Sequence, residues 1–219
     1  MTNDDEDGAP NEVILPAALA AAYLAFALTF RGPKDRFWQR MTRTGAILGG
    51  MALATDGSLR RTRLRARDVA MGLTAAAGLY GIFRVGDRAA RWLMPKGGEE
   101  IDAVYGLRRL RPAGELAVRL AVVIGPAEEL FWRGLVQRLA ARLHGRWQGA
   151  ALTAGAYAGA HVVTGNLTLI GAAGVAGAYW SALTAAGLPM GALMVSHVAW
   201  DLWIFLIAPT TASNRKEQR

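Results

Sequence analysis

Charged residues are nearly absent from the last third of this chain. From Trp147 to Ala208, the only Lys, Arg, Asp or Glu is Asp201. A transmembrane helix needs about 20 mostly apolar residues to cross a hydrocarbon core about 30 Å thick. A soluble core of this length would carry charged faces, so the stretch predicts consecutive membrane spans. The whole chain agrees, since 53% of its 219 residues are hydrophobic and only 19% are charged.

Apolar segments separated by short polar breaks predict an all-α, polytopic transmembrane helix bundle with a polar site inside it. Residues 114–144 are expected to form one long helix, kinked near Gly125 because Pro126 has no N–H to donate. Segment 44–59 is glycine-rich and short, and we interpret it as a re-entrant or interfacial helix. Six spans are preferred, or seven if segment 44–59 crosses. The other five predicted spans are 13–30, 69–86, 148–163, 167–186 and 190–208.

Composition divides the chain into four parts. Residues 1–12 are acidic and polar, and are predicted to be a disordered tail. Residues 13–112 hold the N-terminal membrane helices with basic and interfacial segments, including Phe37 and Trp38. Residues 113–208 form the apolar core, and residues 209–219 form a polar tail.

Two pairs of small residues predict close contacts between helices. Gly155 and Gly159 form a GxxxG pattern, and Ala173 with Gly177 forms a second pair of small residues four apart. Small side chains at this spacing let helix backbones approach closely in a membrane.

The net charge of +8 is concentrated beside apolar runs rather than in a recognisable nucleic-acid-binding module. We interpret the basic block as a cytoplasmic juxtamembrane segment that contacts anionic lipids. The partners expected from this charge pattern are therefore membrane lipids, with no nucleic acid. We expect an integral protein of a bacterial cytoplasmic membrane. The block contains Arg60, Arg61, Arg63, Arg65 and Arg67.

A small set of ionisable side chains falls inside the apolar segments. Such groups are costly in a bilayer, so they face a bundle interior or a water pocket and are functional candidates. A single buried ion pair or histidine is often structural, but their occurrence on three separate helices favours chemistry. The set is Glu128, Glu129, Arg133, His161, His197 and Asp201, with Tyr157 as a neutral companion.

Helical spacing predicts how these residues pair. Glu129 and Arg133 are four residues apart, so an ion pair between them is expected. That pair leaves Glu128 as the candidate general base. The same spacing lets Asp201 hydrogen-bond to His197 and fix its tautomer, and it places Tyr157 and His161 on one face.

Three motifs in this order resemble the CPBP family of intramembrane proteases, also called the Abi or CAAX-protease and bacteriocin-processing family. The motifs are EELFWR from Glu128, YAGAH ending at His161 and HVAWD ending at Asp201. The resemblance covers residues 113–208 and implies a glutamate-dependent membrane endopeptidase, whose expected partner is a peptide or membrane-protein substrate. Where Tyr157 stands, the family usually has Phe.

The resemblance also implies a role for each polar residue. Glu128 and His161 would hold and deprotonate the attacking water. His197 and Asp201 would stabilise the tetrahedral oxyanion. Glu129, Arg133 and Tyr157 would support the site.

Other interpretations stay open at this point. Zinc held by Glu128, His161 and His197 is an alternative to direct water activation, although the chain has no H-E-x-x-H motif. The family precedent favours a site without a cofactor. A non-catalytic membrane binding or bacteriocin-immunity protein is the second reading, and a proton carrier is the third.

The last motif generates a prediction, because an ionised Asp201 would repel an oxyanion. Our hypothesis is that Asp201 orients and charges His197, which alone donates to the oxyanion. We therefore expect a cleavage assay to tolerate Asp201→Asn and not His197→Ala. If Asp201→Asn abolished cleavage and His197→Ala did not, the assignment of His197 as the oxyanion donor would be contradicted.

Overall fold

The computed structural model describes residues 11–93 and 97–208, and this part of the chain is helical with no strand. Helix α5 runs over residues 113–144. Short 3₁₀ turns occur at Lys34–Arg36, Gly57–Arg61, Leu107–Leu110 and Val162–Thr164. The other helices are α1 Asn11–Arg31, α2 Phe37–Thr55, α3 Ala66–Leu93, α4 Gly97–Gly106, α6 Arg146–His161, α7 Leu167–Ala185 and α8 Met190–Leu202.

The all-α bundle predicted from the sequence is confirmed. Four helices in the described part are long and apolar enough to cross a membrane, namely Asn11–Arg31, Ala66–Gly86, Leu167–Ala185 and Met190–Ile207. Helices α2, α5 and α6 complete the bundle around the polar residues. Helix α6 has 16 residues, and α5 carries the charged pair and two irregular stretches, so neither resembles a simple apolar span.

Large apolar side chains project outward from the bundle. Leu24 and Leu28 on α1 are more than 60% exposed, and so is Val122 on α5. Water would not favour so many exposed apolar groups, whereas lipid solvates them. The chain is therefore an integral membrane protein.

Helix α2 differs from its prediction, because it begins at Phe37 instead of residue 44 and ends at Thr55. Phe37 and Trp38 were expected at the interface, but both are buried. Their spacing to Met41, Leu48 and Ala52 continues one apolar face of the helix into the core, so the helix extends to include them.

The end of α2 is tied to α5 by an ion pair between Asp56 and Arg138. Asp56 also accepts a hydrogen bond from the Ser58 N–H at 2.9 Å. Partial burial works to raise the pKa of Asp56, but these hydrogen bonds and the Arg138 guanidinium outweigh it and hold that pKa below its usual range.

Helix α5 stays continuous past Pro126 because its hydrogen-bonding pattern widens. The stretches Arg119–Ile124 and Leu130–Val136 are π-helical, and they flank the short α-helical stretch Gly125–Glu129. Wide turns of this kind occur mostly at functional positions in helices. Here they bracket the two adjacent glutamates.

Helix α3 runs to Leu93, beyond the predicted end at Gly86, and packs along α8. Gly72 makes this contact possible, because a Cβ there would lie 2.6 Å from the Ala192 carbonyl oxygen. Helix α4 begins at Gly97 and ends at Gly106, within the N-terminal part of the chain. Its Glu100 accepts hydrogen bonds from the N–H and hydroxyl of Thr168 at the start of α7.

The two tails fall largely outside the described residues. Residues 11 and 12, placed in the predicted N-terminal tail, lie in the first turn of α1. Residues 1–10 and the predicted polar tail 209–219 are outside the described part.

The small-residue pairs differ in what they do. A Cβ on Gly177 would lie 3.0 Å from the Tyr157 ring, so this glycine permits a close contact between α6 and α7. Gly159 similarly faces the Tyr23 hydroxyl, whereas Gly155 has open space around it. The packing prediction is therefore confirmed for Gly177 and Gly159 and wrong for Gly155.

Helix α6 provides a matched test of this packing. A Cβ on Gly149 would lie 2.5 Å from the Ala141 backbone nitrogen, and backbone cannot move aside cheaply. We expect Gly149→Ala to destabilise the protein by about 1–3 kcal/mol, seen as a lower melting temperature in detergent. Gly155→Ala is the control, and should be neutral or slightly stabilising. Equal melting temperatures for the two variants would contradict the packing described.

Candidate active site

A cavity of about 180 Å³ lies inside the bundle, between α5, α6 and α8. It brings together the four residues that the sequence predicts to be catalytic: Glu128, His161, His197 and Asp201. All four are at least 90% buried. Among the described residues that line this cavity, none is Lys or Arg, so its ionisable groups are carboxyl, imidazole and phenol.

Glu128 is held from across the bundle by a phenol. The hydroxyl of Tyr157 on α6 donates a hydrogen bond to Glu128 Oε2 at 2.9 Å. This donor engages only one of the two carboxylate oxygens, so Oε1 stays available for other partners. The sequence placed Tyr157 beside His161 but did not predict its bond to Glu128.

His161 has its tautomer fixed by its own helix. Its Nδ1 lies 2.8 Å from the Tyr157 carbonyl oxygen. A carbonyl can only accept, so Nδ1 carries the hydrogen and the neutral ring keeps its lone pair on Nε2. The rings of Phe26 and Phe30 pack against the imidazole with centroids 5.2 and 5.7 Å away, which fixes its plane. His161 is thus set up as a proton acceptor at Nε2.

A single oxygen of the Glu129 carboxylate contacts both Arg133 and His197. Glu129 Oε1 accepts hydrogen bonds from Arg133 Nη1 at 3.0 Å and from His197 Nδ1 at 2.7 Å. The ion pair between Glu129 and Arg133 is the one that the spacing predicts. The bond to His197 on α8 is new, and it locks α5 to α8. Neither Glu129 nor Arg133 lines the cavity, so both support the site from behind.

Arg133 is enclosed by aromatic rings and backbone. Its guanidinium carbon lies 5.0 Å from the Tyr157 ring centre and 5.3 Å from that of Trp180. Its Nη2 donates to the Gly177 carbonyl at 3.3 Å. A buried cation is costly unless it is paired and hydrogen-bonded, and here the Glu129 carboxylate, the two ring faces and a carbonyl supply that compensation.

Asp201 sits differently from the prediction. Its Oδ2 lies 3.7 Å from His197 Nε2, which is an ion-pair distance rather than a hydrogen bond. The hydrogen bond that orients the imidazole comes from Glu129 at Nδ1 instead. The spacing of four residues places Asp201 near His197 on the same helix. The shorter contact of His197, however, is with Glu129 on another helix, and sequence spacing gives no information about contacts between helices.

Trp180 on α7 is a site residue that the sequence analysis missed. Its ring stacks on the His197 imidazole with centroids 4.2 Å apart and planes 20° from parallel. Its indole Nε1 donates to the Ser196 hydroxyl at 3.0 Å, which fixes the stacking plane. The nearest available signal was Ala173 with Gly177, which indicated close packing of α7 but did not indicate a ring at 180.

The N-terminal helices supply the apolar wall of the cavity. The indole of Trp38 is fixed by a 2.8 Å hydrogen bond to the Leu107 carbonyl, and its ring packs edge-on against Phe205. The sequence analysis assigned no site role to residues before 113. This part of the wall is made by Phe30, Phe37, Trp38, Met41, Phe83, Val104, Tyr105 and Leu107.

The residues proposed as zinc ligands do not fit a metal ion. Within residues 11–93 and 97–208, no three His, Asp or Glu side chains are grouped closely enough to hold one.

Comparison with known proteins agrees with the motifs. Residues 114–203 match the family model described as type II CAAX prenyl endopeptidase Rce1-like. No curated protein and no solved structure matches the chain. The match confirms the resemblance to the CPBP proteases over this segment of the chain. The match covers fewer than half of the residues and excludes the aromatic wall before residue 113.

The Glu129 contacts generate a prediction about which carboxylate supports His197. Glu129→Gln removes the charge that compensates Arg133, and breaking one partner of a buried pair costs about 3–5 kcal/mol. We expect Glu129→Gln to lower both the melting temperature and kcat/KM strongly. Asp201→Asn is the control, since it leaves both Glu129 bonds in place. If Asp201→Asn proved the more damaging change, the support would run through Asp201 instead.

Proposed function

We propose that this protein is an intramembrane endopeptidase that hydrolyses a peptide bond of a membrane-associated or peptide substrate with a water activated by Glu128 and His161. The observation that carries the proposal is the shared cavity, which is lined by both the Glu128 carboxylate and the His161 imidazole. The family match points to the same chemistry, since the matching model is named for endopeptidases.

The first step in this proposal is proton transfer from water. Glu128 Oε1 takes one proton from the water. His161 Nε2 accepts a hydrogen bond from the hydrogen that remains, so that the oxygen is held in place and made nucleophilic. The oxygen attacks the carbonyl carbon of the scissile bond and forms a tetrahedral oxyanion. Glu128 then returns its proton to the leaving amine, and the C–N bond breaks to give a carboxylic acid and an amine.

The oxyanion in this proposal is stabilised by His197. Its Nδ1 is committed to Glu129, so in the protonated ring only Nε2 is free to donate. Asp201, 3.7 Å away, keeps that proton at Nε2 until substrate arrives. The stacked Trp180 and the bonded Glu129 hold the donor in place before reaction, which is the condition under which such donors are effective.

The surroundings of the cavity suit an apolar substrate arriving from the bilayer. A second cavity of about 290 Å³, lined mainly by apolar groups, shares Phe83, Tyr105, Trp200 and Ile204 with the first. Its remaining walls come from α3, α4 and the start of α7. We propose that a hydrophobic segment bound in this space extends into the first cavity, which Glu128 lines.

The matching family is named for CAAX prenyl endopeptidases, and a prenylated peptide is one substrate of the proposed class. The apolar walls accept a hydrocarbon chain and a hydrophobic peptide alike, so we propose the wider class. A bacterial cytoplasmic membrane stays our expectation for its location.

A cleavage assay tests the proposal. Purified protein in detergent or liposomes is incubated with a diverse peptide library that includes prenylated and membrane-spanning members, and products are identified by mass spectrometry. We expect the wild-type protein to cut, and Glu128→Gln to cut at least about a hundredfold more slowly, because a general base contributes this much or more.

Glu115→Gln is the matched control on the same helix. Glu115 forms a partly exposed ion pair with Arg119, and such pairs contribute little, so its activity should equal that of the wild type. Cleavage should also survive exhaustive chelation. Equal cutting by wild type and Glu128→Gln would contradict the assigned base, and no cutting of any member would favour a binding or immunity protein.

A further inference from the structure

Tyr157 contacts both members of the proposed water-activating pair, Glu128 and His161. Its hydroxyl donates to Glu128 Oε2, and its backbone carbonyl accepts from His161 Nδ1. One residue thus contacts a defined atom of each group. In both cases the contacted atom is the one that the proposed reaction does not use.

We propose that Tyr157 is a positioning residue that selects the reactive oxygen of Glu128 through its hydroxyl. This inference rests on the proposed function, because it assigns how the base of that reaction is held. By engaging Oε2, the phenol leaves Oε1 as the oxygen that accepts the proton of water. A phenol donor to a carboxylate is a strong, charge-assisted bond in a buried site.

The bond can persist through the whole reaction. When Glu128 is ionised, Oε2 accepts from the phenol as a carboxylate oxygen. When Glu128 has taken the proton on Oε1, Oε2 becomes the carbonyl oxygen of the acid and still accepts. The hydroxyl therefore keeps its donor role in both states and does not transfer its own proton.

The position of the phenol ring is itself fixed by its surroundings. The ring lies edge-on to Trp132 with centroids 5.3 Å apart, and Arg133 lies over its face at 5.0 Å. On the α7 side, the ring packs against Gly177, where a Cβ would come within 3.0 Å. Tyr157 is 6% exposed, so its hydroxyl has no bulk water to turn to. The donor is held toward Glu128 by three neighbouring groups.

Tyr157→Phe removes the hydroxyl alone. The ring, the helix and the backbone carbonyl that serves His161 are all retained. We expect kcat to fall by roughly tenfold, because a hydrogen bond to a charged group is worth about that factor or more. KM should stay close to its wild-type value, since the ring of residue 157, which lines the cavity, is retained and only the hydroxyl bonded to Glu128 is lost.

The control is Tyr179→Phe. Tyr179 also donates through its hydroxyl, in this case to the Ala75 carbonyl on α3 at 2.9 Å, so its loss removes a tyrosine hydrogen bond away from Glu128. We expect kcat and KM of this variant to match the wild type. A fall of kcat in both variants to the same extent would point to a general structural effect and overturn the positioning role.

A spectroscopic measurement tests the inference without relying on activity. The infrared carbonyl band of protonated Glu128 is identified at low pH by its loss in Glu128→Gln. Without the phenol donor, that band should move to higher wavenumber in Tyr157→Phe and stay unchanged in Tyr179→Phe. If Tyr157→Phe does not fold, 3-fluorotyrosine at position 157, a stronger donor of nearly the same size, should move the band the opposite way.

These results separate the two proposals. A Glu128 band that is unchanged by Tyr157→Phe or by 3-fluorotyrosine overturns the inference, whether or not the protein cuts peptides. If the band shifts but no library member is cut, the contact between Tyr157 and Glu128 is supported and the proposed endopeptidase function is contradicted. Cleavage that depends on Glu128 but gives equal kcat for wild type and Tyr157→Phe also overturns the inference.

Discussion

The carboxylate of Glu129 is the contact on which the centre of this bundle depends. A single oxygen accepts from both Arg133 on its own helix and His197 on α8. Arg133 and Glu129 are almost completely buried, in surroundings where an unpaired charge would cost several kcal/mol. The pair can therefore exist only with both members present, and the hydrogen bond from His197 to Glu129 joins α5 to α8. The cavity beside it keeps its shape because its back wall cannot move without separating these charges.

This arrangement separates two adjacent glutamates into different roles. Glu129 points away from the cavity into the ion pair, whereas Glu128 lines the cavity and accepts a hydrogen bond from a neutral phenol on α6. The helical rotation of about 100° between neighbours is what turns the two carboxylates apart. The π-helical stretches on either side let the helix carry Pro126 and this pair without a break. The same helix thus provides both a structural charge and a candidate base.

Much of this could be predicted from sequence, because it follows from composition and from spacing within a helix. The apolar runs gave the all-α bundle, and positions four apart gave the pair of Glu129 and Arg133. Contacts between helices were not predictable in this way, and so the bonds from Tyr157 to Glu128 and from Glu129 to His197 were missed. The hydrogen bond that orients the His197 imidazole was assigned to Asp201 instead of Glu129, and this was wrong for the same reason. Phe37 and Trp38 were misplaced because a helix face that continues from a basic segment into the core cannot be recognised until the neighbouring helices are known.

The unmatched N-terminal helices are the part of the chain that sequence comparison describes least. They close the cavity with aromatic side chains, so the polar motifs alone do not make the site. In the proposed reaction, a water held in this cavity attacks the substrate directly. The most direct measurement is a single turnover in water labelled with oxygen-18, followed by mass spectrometry of product and protein. We expect one labelled oxygen in each new carboxyl terminus and none in the peptide that contains Glu128. Label in Glu128 with an unlabelled first product would contradict it, because the carboxylate would then have attacked the substrate itself.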